Sequence, residues 1–286
     1  RILRKKRSKF FWNKVQKISK TILLVSISSL DFGIGHFTRL NRLKKLLKNN
    51  FKIKHIVFKN IKKNHKKKNA YLDLKKIYQI LIGNLNNYNY IIFDITHPFI
   101  FKNNKIIKEI TELIENKNKF FFFYDDVNQS LTSRIYTKKK LNIIIPYFYE
   151  KNELKQNTKD NYLLGTNYFP LEKLSKKIKV NKKDILITFG GSDLNNFTLL
   201  ILNFLSKKFS NKKITVLIGD YFSQQTLRKI LKFKKTIKNL NIIQRKNRII
   251  DIIYNHKIIF TSSGLTKYEA LSLKKKIFIL FKTKKE

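Results

Sequence analysis

The 286-residue chain contains neither cysteine nor methionine, and it has only three prolines, eight glycines and two alanines, Ala70 and Ala270. Without cysteine there are no disulfides, no thiolate nucleophile and no cysteine-based zinc site, which fits a cytoplasmic protein. The lack of methionine, together with Arg1 as the first residue, points to a fragment or a trimmed chain. No apolar run approaches the roughly 20 residues of a membrane-spanning helix, and no small-residue cleavage site follows an apolar core as in a signal peptide. A Walker-type G-x-x-x-x-G-K-[ST] segment is missing too. The five histidines, His36, His55, His65, His97 and His256, show no metal-ligand spacing, so neither a metal nor another cofactor is expected.

Acidic residues are also scarce. Eighteen Asp and Glu stand against 63 Lys and Arg, a formal charge of +45. Such an excess attracts anions, including nucleotides and acidic lipid surfaces. It does not by itself indicate a nucleic-acid partner. Only nine of the basic residues are Arg, and they are scattered among abundant Lys, Asn, Ile and Phe, the residues an AT-rich genome over-supplies. The exception in distribution is the arm at 1–19, where Phe10, Phe11, Trp12, Val15 and Ile18 are interleaved with lysine and arginine. That spacing suits either a short basic amphipathic helix lying on a membrane surface or, as the plainer reading, a frayed terminal extension.

What the chain has in quantity is short apolar runs separated by helical patterns. Strands are predicted over 21–27, 53–58, 90–94, 120–124 and 141–145, with helices over 36–48, 71–83 and 105–116. Residues 151–183 are polar and weakly periodic, apart from Tyr162-Leu163-Leu164-Gly165, and read as a linker. The alternation then resumes, with strands over 184–189, 214–218, 241–243, 258–260 and 277–281 and helices over 195–208, 223–234 and 265–272. Alternating βαβ units predict parallel sheets covered on both faces. The expected organisation is a basic extension at 1–19, an N-terminal Rossmann-like domain at 20–150, a linker, and a C-terminal Rossmann-like domain at 184–286.

The chemistry-bearing residues collect where ligands bind in such sheets, at the carboxyl ends of strands. Gly33-Ile34-Gly35-His36 follows the first strand and opens a helix that carries Arg39 about one turn on. Glycines there let backbone N–H groups approach an anion. Histidine is the side chain whose ordinary pKa suits proton transfer near neutrality. Asp94 ends the third strand, with His97 just beyond, and Asp125-Asp126 follow the fourth. Gly190-Gly191-Ser192-Asp193 can present consecutive N–H groups to a phosphate or make a tight turn with Ser192 or Asp193 as helix cap. Ser262-Ser263-Gly264-Leu265-Thr266 offers hydroxyls and N–H groups to a diphosphate. Glu269, one turn further, is placed either to accept from a ribose diol or to complete a capping box with Thr266.

In order and spacing, five segments resemble the PseG/SpsG family of UDP-sugar hydrolases, relatives of the MurG-type glycosyltransferases. They are the G-x-G-H-x-x-R turn, the aspartate pair at 125–126, Leu164-Gly165-Thr166-Asn167-Tyr168, Phe189-Gly190-Gly191-Ser192-Asp193 with Asn196, and Ser263-Gly264-Leu265-Thr266-Lys267-Tyr268-Glu269. The resemblance implies a GT-B-like fold, with two Rossmann-type domains whose parallel sheets face one another across a cleft. It implies loss of UDP from a UDP-diacetamido-trideoxyhexose, a step of pseudaminic acid biosynthesis, with water activated by His36 and no metal. The same likeness assigns Gly190, Gly191, Ser192, Ser263, Gly264, Leu265, Thr266 and Glu269 to UDP. Placement at the strand ends, not the likeness, makes Gly33, Gly35, Arg39, Asp94 and Asp126 the candidates for the sugar side, with Arg39 either orienting a substrate group or balancing a carboxylate. The chain departs from the family pattern at Ser28-Ser29-Leu30-Asp31 and at Tyr268, where the family usually has tryptophan, and it stops where the family continues. The alternative is a GT-B glycosyltransferase in which an acceptor hydroxyl replaces water.

Overall fold

The computed structural model describes residues 21–29, 35–60, 79, 83, 85–96, 104–127, 130–147, 159–175, 183–209, 211–244 and 248–281. The arm at 1–19, Gly33, His65, His97 and most of the helix predicted over 71–83 lie outside the described residues. The chain divides into two compact units, with the division after Pro170.

The first unit is built on a six-stranded parallel sheet. Its strands are β1 (Thr21–Ser29), β2 (Lys52–Asn60), β3 (Tyr90–Asp94), β4 (Phe120–Tyr124), β5 (Asn142–Ile145) and β6 (Asn161–Leu164), in the order β2-β1-β3-β4-β5-β6. Helix α1 (Gly35–Leu47) follows β1, and α2 (Asn104–Asn116) precedes β4. The inner strands β1, β3, β4 and β5 are apolar runs rather than alternating ones because both faces are covered, whereas the edge strand β2 alternates lysine and isoleucine at its start. Ile22 and Leu24 of β1, with Tyr90 and Ile92 of β3, pack under Leu40, Leu43 and Leu47 of α1. Leu23, Val25, Ile91 and Phe93 point to the other face, where Ile106, Ile107, Ile110, Leu113 and Ile114 of α2 bury an amphipathic stripe. Residues two apart on a strand share a face. Asp94 therefore lies on the α1 face with Tyr90 and Ile92, as does Tyr124 with Phe122.

The expected linker needs correction. Residues 161–164 are β6, paired in parallel with β5 over Asn142–Ile145. They belong to the first sheet, so the boundary falls later than 150. The Tyr-Leu-Leu run, the one apolar interruption of that polar stretch, is the part that pairs.

The second unit carries a five-stranded parallel sheet in the order β11-β10-β7-β8-β9. Its elements are β7 (Lys183–Thr188), α3 (Phe197–Lys208), β8 (Ile214–Ile218), α4 (Gln224–Lys232), β9 (Leu240–Gln244), α5 (Ile249–Tyr254), β10 (His256–Ser262), α6 (Thr266–Ser272) and β11 (Lys276–Leu280). One face packs Ile185, Ile187, Ile214 and Val216 against α3 and α4. The other packs Leu186, Leu217 and Ile259 against α5 and Ala270 of α6. The short helix α5 had no counterpart among the predicted elements. Its Asp251 accepts from the Ser175 backbone N–H at 3.0 Å, and its preceding Arg248 donates to the Lys173 carbonyl, which ties the entry segment 171–175 to this unit.

Candidate functional site

In the first sheet the chain runs from β1 to β2 on one side and then returns to place β3 on the other side of β1. That reversal makes the carboxyl ends of β1 and β3 a topological switch point, the place where open α/β sheets bind ligands. Ser26 and Asp94 are register partners there, and α1 begins just beyond β1. His36, the second residue of α1, places Nδ1 2.6 Å from Oδ1 of Asp94. Arg39, one turn on, donates Nε to Oδ2 and a terminal N–H to Oδ1, each at 2.6 Å.

Asp94 is fully buried and Arg39 is 3% exposed, whereas the His36 side chain keeps 20% of its surface accessible. Burial disfavours the Asp94 carboxylate, but Arg39 and His36 more than offset it and hold its pKa below the ordinary value. Burial likewise works against the Arg39 charge and Asp94 reverses it, so the guanidinium pKa rises. An ionised carboxylate only accepts hydrogen bonds. The neutral His36 ring must then carry its proton on Nδ1, leaving the Nε2 lone pair unprotonated, which is the arrangement of a general base oriented by an acid.

Two tyrosines complete this layer. The Arg39 guanidinium carbon sits 4.9 Å from the centre of the Tyr124 ring and 5.3 Å from that of Tyr147, and Arg39 donates to the Tyr147 hydroxyl. Burial raises the Tyr124 pKa, so its ring stays neutral under the guanidinium. On the neighbouring strand, Nε2 of His55 lies 2.8 Å from Oγ of Ser26, and the His55 ring stacks on Phe37 at 5.6 Å. Burial first, then Lys44, depress the His55 pKa to about 4.

Of the residues assigned to the sugar side, Gly35, Arg39, Asp94 and Asp126 are described. A Cβ at Gly35 would meet open space. Arg39 and Asp94 are buried with each other and His36 as partners. Asp126 acts electrostatically on Arg39, and its N–H donates to Asp125. Asp125 is a structural knot. It accepts from the N–H groups of Asp126, Leu131 and Thr132 and from the hydroxyls of Ser130 and Thr132, and so organises the segment leaving β4. Among the described residues no group of His, Asp and Glu is arranged to hold a metal.

The second sheet has its own switch point. The chain runs β7, β8, β9 outward and then places β10 on the free side of β7. Thr188 and Thr261 pair in register, so the turns that follow, at 190–192 and 263–265, leave from adjacent strand ends. The two segments singled out for UDP, 73 positions apart in sequence (190 to 263), are thus brought together. Gly190 has φ 79°, a left-handed conformation that favours glycine. Asp193 rather than Ser192 anchors α3, accepting from Phe197 N–H at 2.9 Å and Thr198 N–H at 2.8 Å. No capping box forms at α6. The helix starts at Thr266 with Leu265 before it, and no side chain caps it. Glu269 is fully buried and Thr266 nearly so.

Sequence reading missed Gly219, which follows β8. A Cβ there would lie 2.3 Å from the Gly190 carbonyl oxygen and 2.4 Å from that of Gly191. The Tyr221 N–H donates to the Gly191 carbonyl at 2.8 Å. The loop at 219–221 is thus fitted directly against the glycine turn. Its signal was a glycine at a strand's carboxyl end, the same signal that drew attention to the other turns.

No protein-family model matches the chain. An uncharacterized Methanocaldococcus jannaschii protein, MJ1062, is 30% identical over 185 residues, 61% of this chain. The chain spans 37% of the length of that relative. UDP-GlcNAc 2-epimerase from Neisseria meningitidis bound to UDP-GlcNAc superposes with a TM-score of 0.53 at 17% identity, covering 91% of this chain and 82% of that one. The Methanocaldococcus jannaschii UDP-GlcNAc 2-epimerase gives 0.52 at 15%, covering 91% and 83%. A UDP-glucosyltransferase from Polygonum tinctorium gives 0.53 at 10%, covering 92% and 80%. The fold is therefore GT-B-like, with two parallel-sheet α/β units. Among the described residues no helix is long and apolar enough to cross a membrane.

Proposed function

We propose that this chain is a nucleotide-sugar enzyme that releases UDP from a UDP-sugar by hydrolysis at the anomeric carbon, with His36 as general base. The observation that carries the reading is the His36–Asp94 contact at 2.6 Å, formed at a switch point by a buried, ionised carboxylate and a partly accessible imidazole. His36 Nε2 takes a proton from water as the water oxygen bonds to the anomeric carbon. The carbon–oxygen bond to the diphosphate breaks in the same displacement, UDP leaves with that electron pair, and the proton passes to solvent when the imidazolium relaxes. Asp94 holds the ring and stabilises the transient imidazolium, as in other acid-oriented histidines.

In this reading the turns at 190–192 and 263–266 neutralise the leaving diphosphate with backbone N–H groups; Glu269, fully buried behind the second turn, is not open to the ribose. The neighbours of known structure support a nucleotide-sugar ligand through their UDP and UDP-GlcNAc chemistry. The choice of a UDP-diacetamido-trideoxyhexose, of the pseudaminic acid route, rests on the resemblance of the five segments to the PseG/SpsG family.

The test is UDP release from that sugar nucleotide by wild type and His36→Ala, without any acceptor. A loss of about 100-fold or more is the expected cost of removing a general base. Unchanged turnover in the variant would remove His36 from the mechanism. UDP release that begins only when an acceptor is added would favour a glycosyltransferase.

A further inference from the structure

We propose that Tyr147 is a positioning residue for His36, acting through Arg39 and Asp94. The inference rests on the reading of His36 as the base and adds the device that orients it. Three consecutive parallel strands deliver one polar side chain each to the carboxyl edge of the sheet. Asp94 ends β3, Tyr124 ends β4, and Tyr147 lies two residues past β5. Adjacent strands are about 4.8 Å apart, so the ends of β3 and β5 are separated by roughly 10 Å. Arg39 bridges that span. Its Nε and one terminal nitrogen grip both Asp94 oxygens, its plane lies by the Tyr124 ring, and its remaining nitrogen reaches the Tyr147 hydroxyl.

A guanidinium has a rigid planar fork of donors, so fixing one end fixes the other. With NH1 held by Tyr147, Arg39 cannot swing about Asp94, and Asp94 cannot turn its Oδ1 away from His36. Asp94 has no exposed surface through which water might restrain it instead. Without the hydroxyl, the buried NH1 group loses its acceptor, and Arg39 must leave its bidentate position to regain one. The carboxylate then rotates, and the ring is no longer held to the Nδ1–H tautomer. Lysine at position 39 would not substitute, because a point charge cannot span the three strand ends.

The test reads the tautomer directly. Long-range proton–nitrogen correlation spectra of the histidine-labelled chain, without ligand, are compared for wild type, Tyr147→Phe and Arg39→Lys, with circular dichroism to establish that each is folded. Wild-type His36 is expected to be Nδ1-protonated. Both variants are expected to move it to a mixture of tautomers, Arg39→Lys further than Tyr147→Phe. Where UDP-sugar turnover is measurable, Tyr147→Phe should lower kcat about three- to tenfold, a hydrogen bond's worth, with KM little changed. A wild-type ring protonated on Nε2, or a Tyr147→Phe spectrum identical to wild type, overturns the proposal. A tautomer shift in a protein that releases no UDP supports the positioning role and removes the hydrolase reading alone.

Discussion

Gly219→Ala should be one of the most damaging single-methyl additions in the second unit. The Cβ would sit 2.3 and 2.4 Å from two carbonyl oxygens and 2.6 Å from a carbonyl carbon, all backbone of Gly190 and Gly191. Ordinary contact begins near 3.4 Å, so the loops following β7 and β8 must part by about 1 Å, and neither partner is a side chain that can rotate away. Overpacking of this kind costs roughly 1–3 kcal/mol. Parting the loops also threatens the Tyr221 N–H to Gly191 carbonyl bond, worth about 1 kcal/mol. The expected destabilisation is therefore about 2–4 kcal/mol. For a unit of the size of Leu171–Glu286 that lowers Tm by roughly 10–20 °C. Far-UV circular dichroism through thermal and guanidinium titrations measures it. Gly35→Ala is the internal control, because its Cβ meets open space and the change should stay within about 0.5 kcal/mol. A Gly219→Ala protein within about 0.5 kcal/mol of wild type would mean that the two loops do not pack as described. Binding of UDP, monitored by calorimetry, should weaken in Gly219→Ala under conditions where the protein remains folded.

Two further outcomes follow from the first unit. Arg39→Met alone should destabilise it by roughly 3–5 kcal/mol, because Asp94 would be left buried and ionised without its main partner. Arg39→Met combined with Asp94→Leu should cost clearly less than the two single changes added together, and strict additivity in denaturant titrations would show that the pair is not coupled. The folded His55 binds its proton only near pH 4, while an unfolded histidine binds it near 6.5. The unfolded chain therefore takes up more protons in that window, so stability falls as pH drops from about 6.5 to 4. For a partly exposed ring the contribution is discounted to roughly 1–2 kcal/mol. His55→Phe should lose that part of the acid sensitivity, and a pH–stability curve identical to wild type would refute the assignment.

The fold was largely legible because parallel sheets covered on both faces leave continuous apolar runs. Tyr90–Asp94, Phe120–Tyr124 and Ile214–Ile218 are strands at the residues predicted. What escaped were elements too short or too exposed for periodicity to register. β6 is four residues at the edge of its sheet, none of them fully buried, and α5 is six residues within an isoleucine-rich stretch that reads equally well as strand. At the candidate site, His36, Arg39 and Asp94 were visible as residue types at strand ends. Their mutual contact was not, because it depends on strand order and side-chain face. Tyr147 was invisible for the same reason, being 108 positions from the arginine it holds. The capping box offered as one reading of Thr266 and Glu269 failed because the helix begins one residue too early, with Thr266 already in its first turn and Leu265 in the cap position.

The strand orders explain why chemistry-bearing residues separated by tens of positions converge twice. In each unit the chain lays down its first strand, builds outward on one side, and returns to the other. The return sets the carboxyl ends of two neighbouring strands side by side with their chains departing to opposite sides of the sheet, the place where open α/β sheets take ligands. The first unit fills that place with a buried ion pair and an imidazole, a group suited to moving a proton. The second fills it with glycine turns at 190–191 and 264, with Gly219 fitted against the first of them, a surface suited to approach by an anion. An enzyme that detaches a diphosphate from a sugar needs both functions. If so, changes at Gly190, Gly191 or Gly219 should act mainly on UDP affinity, and changes at His36, Asp94 or Tyr147 mainly on turnover with bound UDP-sugar. A His36→Ala protein that retained turnover but lost UDP binding would reverse this division.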